Sequence, residues 1–376
     1  MKKILFKKLL FDCLKFFLLC LIGISAIVWV FQAVNYLDIM VEDGRNYSVY
    51  FKYTLLNFPK IISKLFPFAL FLAFFYIISK YENSNELIIF WTHGISKQQV
   101  INFFLKSSII IMSVQMLLLI FLVPTTQDLA RSELRNSNIN FFDNFLKPKK
   151  FNDVIKGVTI YSEKKEQDGT LKNIYIKKTT TNQEYEIIYA KRGKIKNQGN
   201  NQILVLFDGQ NLKGKKNNID SFSFSKSDFN LSNLEAHTIT HKKTQETPSI
   251  DLINCIKKLD SKNKDAIVVE FENCNTANLS NIFGELYKRT VLPLYIPILI
   301  LISNLLIFIT KENTNYFKLK ISIFLFGFFT IIFSETTIRF ISGVFNENIK
   351  IIVLPILLVM IFYYTLSHKL TSEFKK

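Results

Sequence analysis

Residues Phe16–Leu37 read FFLLCLIGISAIVWVFQAVNYL and carry no charged side chain. A helix of about 20 mostly apolar residues can cross a bilayer, because hydrocarbon offers the backbone no hydrogen-bond partners beyond its own. Five similar blocks follow. Two of them are uncharged over about 20 residues, Ser107–Gln127 and Val291–Thr310, and three have shorter charge-free cores, Leu65–Ser79, Ile321–Ser334 and Ile351–Ser367. The sequence therefore predicts a membrane protein with six transmembrane helices, three on each side of a polar central region.

The first helix has a second interpretation. Lys2, Lys3, Lys7 and Lys8 precede the apolar run, which is the pattern of a secretory signal peptide over Met1–Ala26. However, the apolar run continues well past Ala26, and five further blocks follow it. The pattern favours a helix that is retained.

The formal net charge of +17 raises the question of nucleic-acid binding, because basic chains bind phosphate backbones. The central region 124–284 holds only 25 Lys and Arg against 19 Asp and Glu, and no nucleic-acid-binding motif accompanies them. We therefore predict no nucleic-acid partner.

The basic residues also predict the orientation. Segments on one side of the membrane, at 1–15, 80–106, 311–320 and 368–376, hold fourteen Lys and Arg residues. The short loops on the other side, at 38–57 and 338–350, hold four. By the positive-inside rule, both termini are cytoplasmic and the central region lies on the opposite side of the membrane.

The central region alternates between apolar and polar residues in short runs, which is typical of β-strands. The predicted strands are Val158–Ser162, Leu171–Lys178, Glu186–Lys196, Gln202–Phe207, Ser221–Ser225 and Ala266–Phe271, and turn sequences such as Asp208-Gly209 separate them. An amphipathic helix is predicted at Ser249–Leu259. The fold class is thus α+β, with residues 1–127 and 285–376 as membrane halves and residues 128–284 as an inserted, jelly-roll-like domain.

Four cysteines are present, and none has metal-binding spacing. Cys255 and Cys274 share the central region, where an oxidising compartment would allow a disulfide; two buried free thiols are the alternative. No catalytic constellation of side chains stands out. We therefore predict no enzyme active site, no cofactor and no metal site.

Three short segments resemble the LptF/LptG family of lipopolysaccharide export permeases. They are Ser84–Ser96, which reads SNELIIFWTHGIS, then Glu285–Arg289 followed by Pro293, and Pro59 together with Pro67. The order of helices around a β domain is also that of the family. The resemblance covers essentially the whole chain, and it implies a permease subunit that extracts lipopolysaccharide from the inner membrane.

The segment around residues 82–95 is expected to couple the permease to an ATPase. Glu86, Leu87, Phe90 and His93 are placed on a short cytoplasmic helix that Gly94 ends. Ile89 is the alternative to Phe90 as the apolar residue at helical spacing from Glu86 and His93. The resemblance implies that Glu86 pairs with a basic residue of a cytoplasmic ABC ATPase dimer. The alternative is a helix that lies on lipid headgroups with Trp91 as its anchor.

Basic residues near the periplasmic ends of the helices are candidates for binding lipopolysaccharide phosphates. They are Arg45, Lys60, Lys64, Lys288, Arg289 and Arg339. The alternative for each is a side chain that only reaches towards the membrane interface. Family permeases carry basic residues near the outer end of the first helix, whereas this chain has Gln32, Asn35 and Asp38 there.

The resemblance also implies partners: a second permease subunit of the same family and a periplasmic bridge of similar β domains. Glu285–Arg289 and the turn Asp168–Leu171 favour the F-type subunit. Two other classes remain open. One is the permease of another ABC-type lipid or lipoprotein exporter, which usually has its large domain after the first helix. The other is a membrane-anchored sensor or assembly protein, which would need a larger cytoplasmic part.

Overall fold

The computed structural model describes residues 2–37, 47–136, 148–155, 158–166, 169–180, 184–198, 201–215, 218–230, 242–260, 273–308 and 310–373. Its α-helices are α1 (Lys2–Asn35), α2 (Tyr47–Leu56), α3 (Phe58–Asn83), α4 (Glu86–Thr92), α5 (Lys97–Leu117), α6 (Val123–Asn136), α7 (Ser249–Asp260), α8 (Leu279–Thr290), α9 (Ile296–Asn304), α10 (Tyr316–Thr336) and α11 (Phe345–Glu373).

The chain divides into two compact units. The membrane unit comprises Met1–Gln32, Thr54–Arg131 and His241–Lys376, and the sheet unit comprises Ala33–Tyr53 and Ser132–Thr240. In the membrane unit, the start of α1, the last part of α11, α4 and the α9–α10 connection lie at one end of the bundle, here called the terminal end. The opposite end, from which the chain leaves for the sheet unit and to which it returns, is the insert end.

Among the described residues, five helical stretches are long and apolar enough to cross a membrane: Lys2–Asn35, Tyr47–Asn83, Lys97–Leu134, Tyr316–Phe340 and Phe345–His368. A sixth follows if Thr276–Thr290 and Leu292–Phe308 form one span, bent by 42°. The bend falls where Pro293 and Pro297 remove backbone donors, so the helix passes through a 3₁₀ turn at Leu292–Tyr295. The prediction of a multi-pass α+β membrane protein is confirmed.

The third span contains a wider turn. Between α5 and α6 the backbone forms a π-helix over Leu118–Leu122, with one more residue per turn than an α-helix. No proline stands within that turn. Its placement cannot be read from hydropathy, since all five of its residues are apolar.

Aromatic side chains form much of the core of the membrane unit. The ring of Phe71 on α3 stacks on Phe324 of α10 with centroids 6.0 Å apart. Gly327 of α10 allows this approach, because a Cβ atom there would overlap the Phe71 ring. The pair packs α3 against α10, and its geometry depends on the absence of a side chain at position 327.

The described part of the sheet unit contains six antiparallel strands: β1 (Phe151–Ile155), β2 (Val158–Lys165), β3 (Thr170–Thr180), β4 (Glu184–Gln198), β5 (Asn201–Lys215) and β6 (Asn218–Asn230). They pair in sequential order, each with its neighbour in the chain. Alternate residues fill one buried face, among them Ile160, Ile174, Ile188 and Leu204. This one-sided core explains the period of two in the sequence.

The sheet differs from the sequence prediction in three respects. The described strands form a meander, whereas a jelly roll also brings non-consecutive strands side by side. Asp208-Gly209, predicted as a turn, lies inside β5, where Asp208 has a φ of +53°. Aspartate adopts this left-handed conformation at low cost, so the strand continues through it. Strand β1 was not predicted, and the predicted strand Ala266–Phe271 lies outside the described residues.

The described residues from Lys242 onwards group with the membrane unit, whereas the sequence prediction assigned 128–284 to the inserted domain. Residues Lys242–Ser249 are here called the return segment, because the chain re-enters the membrane unit through them. Helix α7 follows directly and confirms the amphipathic helix predicted at Ser249–Leu259. The reason for this boundary is a network of buried ionic contacts described below.

Candidate coupling site and insert-end contacts

Helix α4 has well-formed ends. Before its first residue, Asn85 adopts the left-handed conformation with a φ of +60°, which turns the chain sharply away from α3. After its last residue, Gly94 has a φ of +69°; its N–H donates to Trp91 O, and the Ile95 N–H donates to Phe90 O. This pair of hydrogen bonds is a Schellman motif. The predicted end of the helix at Gly94 has this physical basis.

One side of α4 is fixed to the bundle. Leu87 and Phe90 are buried and belong to the main apolar core. The Phe6 ring of α1 contacts Phe90 edge to face at 6.1 Å and also packs against Phe103 of α5 at 4.7 Å. Leu87 and Phe90 therefore hold α4 against the bundle and do not lie on its exposed side. Their predicted role in coupling stays a prediction.

The other side of α4 is open. Ile88 and Ile89 are 51% and 45% exposed, and Thr92 and His93 are exposed next to them. Ile88 and Thr92 are one turn apart, as are Ile89 and His93, so the four side chains share one face. The sequence interpretation missed Ile88, and it weighed Ile89 only as an alternative to Phe90. Every position from Leu87 to Trp91 is apolar, so periodicity gave no signal for which side is buried.

The start of α1 lies against α4 through polar contacts. Lys2 Nζ donates to Gly94 O at 3.0 Å, and Lys8 Nζ lies 3.7 Å from Glu86 Oε2. Further along α1, Asp12 Oδ2 accepts a hydrogen bond of 2.5 Å from the Tyr81 hydroxyl of α3. The Lys8–Glu86 pair is largely exposed and contributes at most about 1 kcal/mol, so Glu86 can exchange it for another cation at little cost.

At the insert end, the predicted lipid-binding residues are found in different surroundings. Lys60, Lys64, Lys288 and Arg339 are exposed, whereas Arg45 lies outside the described residues. The side chains of two of these residues make polar contacts. Lys60 Nζ donates to Gln245 Oε1 at 3.3 Å, and Lys288 Nζ lies 3.5 Å from Glu285 Oε2. Gln245, Glu285 and Lys288 line the same polar pocket, and Lys60 reaches its edge through the hydrogen bond to Gln245. Lys64 and Arg339 do not line this pocket.

Arg289, one of the predicted phosphate-binding candidates, is buried: only 1% of it is accessible. Its guanidinium donates to Glu285 Oε1 at 3.3 Å and to two acceptors in the return segment, Thr247 O at 2.9 Å and Gln245 O at 3.0 Å. A fourth bond of 2.9 Å reaches Ser249 Oγ. All three guanidinium nitrogens donate to protein acceptors, so Arg289 stabilises the return segment against α8.

A second buried ion pair fixes the same segment. Arg131 Nε of α6 lies 2.7 Å from Glu246 Oε1. Burial raises the pKa of the Glu246 carboxyl, against the opposing effects of the Lys243 N–H and the Arg131 charge. Lys242 Nζ also donates to Asp128 Oδ2 at 2.9 Å. Both ends of the insert are thus tied together at the membrane unit, by residues that the sequence interpretation did not single out.

Cys255 of α7 and Cys274 form a disulfide with a Cα–Cα distance of 5.8 Å. It connects α7 to the turn that precedes α8, next to a small apolar cluster of Leu252 and Ile282. Cys13 and Cys20 of α1 are free thiols.

The apolar spans, the sheet inserted between the third and fourth of them and the short α4 helix define the class: a multi-pass membrane protein with an inserted β domain. Residues 7–369 match the profile of the family described as "Lipopolysaccharide export system permease LptF/LptG", and the chain belongs to this family. It is also similar to "Uncharacterized protein RP871" of Rickettsia prowazekii (strain Madrid E), with 22% identity over 326 residues, which are 86% of this chain and 84% of that protein.

Proposed function

We propose that this chain is a permease subunit, of the F type, in an ABC transporter that extracts lipopolysaccharide from the inner membrane and passes it to a periplasmic bridge. The observation that carries the proposal is the family match across nearly the whole chain, from residue 7 to residue 369. The second subunit would be a permease of the same family, and ATP hydrolysis would belong to a separate cytoplasmic ATPase dimer.

The exposed face of α4 is the proposed docking site for that ATPase. Ile88 and Ile89 would enter an apolar groove of the partner, while Glu86 at the edge would exchange Lys8 for a basic residue of the ATPase. Because Phe90 packs on Phe6 and Lys2 bonds Gly94, a push on α4 would reach α1 as well as α3 and α5. Gating of the membrane unit would follow from this coupling.

The proposed orientation places the terminal end in the cytoplasm and the insert end in the periplasm. Two independent features support it: the excess of Lys and Arg in the terminal-end segments, and a disulfide at the insert end, since disulfides persist in oxidising compartments. Protease added to intact spheroplasts is expected to cut within 148–240. Protection of this region until the membrane is permeabilised would contradict the orientation.

Docking is tested by co-purification. The tagged chain is extracted from its own membranes, and the recovered ABC ATPase is quantified by mass spectrometry and by ATP hydrolysis. Glu86→Arg and Ile89→Asp are expected to lose most of the bound ATPase, because one reverses the edge charge and the other places a charge in an apolar groove. Glu312→Arg is the matched control, since Glu312 is exposed at the same end of the bundle.

Two further measurements separate docking from misfolding. Each variant should keep the unfolding temperature of the parent chain, because residues 86 and 89 are partly or largely exposed. If Glu86→Arg and Ile89→Asp both retain the ATPase at the level of Glu312→Arg, the docking face is wrong.

The lipid path is proposed to pass Lys60 and Lys288, whose ammonium groups flank the pocket lined by Gln245 and Glu285. Lipopolysaccharide phosphates would meet these charges as the lipid leaves the bilayer, and the sheet unit would receive its acyl chains. Lys60→Glu combined with Lys288→Glu is expected to slow the ATP-dependent release of lipopolysaccharide from proteoliposomes, without loss of the ATPase. Unchanged release would remove both lysines from the path.

A further inference from the structure

A cavity of about 320 Å³ lies at the insert end between α7, α8 and the start of α11. Its walls are mainly apolar and include Ile253, Ile256, Phe283, Leu286, Ile341 and Ile352. No function has been assigned above to this cavity. It is separate from the polar pocket, which lies on the opposite face of α8.

The uncharged polar side chains in the wall have their hydrogen-bond partners within the protein. The Tyr287 hydroxyl pairs with Thr337 Oγ1 at 2.9 Å, and Thr290 Oγ1 donates to Leu286 O at 2.8 Å. Asn348 donates to Ser342 O and accepts from the Ser342 N–H, both at 2.9 Å. A cavity whose polar groups are used in this way offers water few partners, so it favours an apolar occupant.

The cavity cannot close by a simple shift of its walls. Leu252 and Ile282 belong to an apolar cluster on one side, and Tyr287 and Ile341 to a different cluster on the other. The disulfide between Cys255 and Cys274 fixes α7, and Arg289 fixes α8 to the return segment. Empty space between fixed walls forfeits dispersion contacts, which an occupant would restore.

The surroundings of the cavity indicate contact with a bilayer. Phe340, Val344 and Phe345 are exposed where α10 ends and α11 begins. On α7, Ile250 and Ile253 are 65% and 42% exposed, and Lys257 stands at the edge of the cavity. An amphipathic helix with exposed isoleucines and a basic last turn is typical of a helix lying in the membrane interface.

We propose that this cavity holds the end of one acyl chain of an anionic glycerophospholipid from the adjacent leaflet, with its phosphate close to Lys257. At roughly 30 Å³ per heavy atom, the volume of a water molecule in the liquid, the cavity holds about ten carbon atoms. This corresponds to part of one chain, and not to the several chains of lipopolysaccharide. The proposal does not depend on which lipid the permease transports.

The test uses phosphatidylglycerol with a photoactivatable diazirine near the end of one acyl chain. The full chain is reconstituted in nanodiscs with this probe and irradiated, and the labelled peptides are identified by mass spectrometry. Label is expected on the residues of α7, α8 and α11 that line the cavity. Ile253→Trp, which fills the space from α7, is expected to lower this labelling several-fold.

The matched control is Ile250→Trp, on the same helix and outside the cavity wall. Labelling should remain at the parent level in this variant, and both variants should keep the parent unfolding temperature. Lys257→Glu is expected to abolish the preference for a phosphatidylglycerol probe over a phosphatidylcholine probe, whereas Lys258→Glu, outside the wall, should preserve it.

Two results would overturn the proposal. One is equal labelling of the cavity residues in Ile253→Trp and Ile250→Trp. The other is displacement of the label by excess lipopolysaccharide but not by unlabelled phosphatidylglycerol, which would make the occupant the transported lipid. Neither result bears on ATPase docking, so the proposed function would be judged separately.

Discussion

Replacement of Arg289 by methionine is expected to destabilise the membrane unit strongly. The change keeps an unbranched side chain as far as the position of Nε but removes the hydrogen bonds to Glu285, to Ser249 Oγ and to the two carbonyl oxygens of the return segment. Removing one partner of a buried ion pair costs about 3–5 kcal/mol, because the other partner stays buried without compensation. At about 2 °C per kcal/mol for a chain of this size, the unfolding temperature would fall by roughly 6–10 °C.

The measurement is thermal unfolding of the purified chain in detergent, followed by intrinsic fluorescence. Arg339→Met is the matched control: Arg339 is exposed, so its replacement should change stability by no more than about 0.5 kcal/mol. Arg289→Lys should recover only part of the loss, because an ammonium group cannot reach acceptors on two sides as the guanidinium does. If Arg289→Met and Arg339→Met unfold at the same temperature, Arg289 does not stabilise the return segment against α8.

Three further predictions concern other parts of the membrane unit. Gly327→Leu should destabilise it by about 1–3 kcal/mol through overlap with Phe71, whereas Gly23→Leu, with open space around it, should not; equal unfolding temperatures would contradict this packing. Gly94→Val should strain the end of α4 by about 1–2 kcal/mol and reduce ATPase recovery, whereas Gly94→Asn should retain it, since asparagine tolerates a φ of +69°. Burial raises the pKa of Glu246, so the folded chain binds a proton there more readily than the unfolded chain, and it loses stability as the pH rises through the raised pKa. In Glu246→Gln, the unfolding temperature should therefore depend less on pH above pH 4.5 than in the parent chain. An unchanged slope of unfolding temperature against pH would refute this.

The spans could be predicted from the sequence because they depend on length and charge alone. Phe16–Leu37, Ser107–Gln127 and Val291–Thr310 are uncharged, and each falls largely within a helical stretch of the structure. The sheet was harder to predict, because its strand order depends on pairing between segments. The period of two identifies which residues are buried, but it does not distinguish a meander from a jelly roll.

The functional residues were only partly predictable. Lys288 and Arg289 are adjacent, so a helix turns them about 100° apart, and the sequence gives no sign of which one is buried. The answer depends on Gln245, Thr247 and Ser249, which are about 40 positions away. Likewise, the buried side of α4 is decided by Phe6 and Phe103, which no local pattern connects to Phe90.

The wide turn at Leu118–Leu122 has a consequence for the rotational phase of the third span. Each residue advances an α-helix by about 100°, so one additional residue in this turn rotates everything after it. After this rotation, Asp128 faces Lys242 and Arg131 faces Glu246. Within the wide turn itself, Ile120 O accepts a hydrogen bond from Ser249 Oγ at 3.2 Å. Deleting one residue there would turn both side chains away from their partners while leaving the span long enough to cross the membrane.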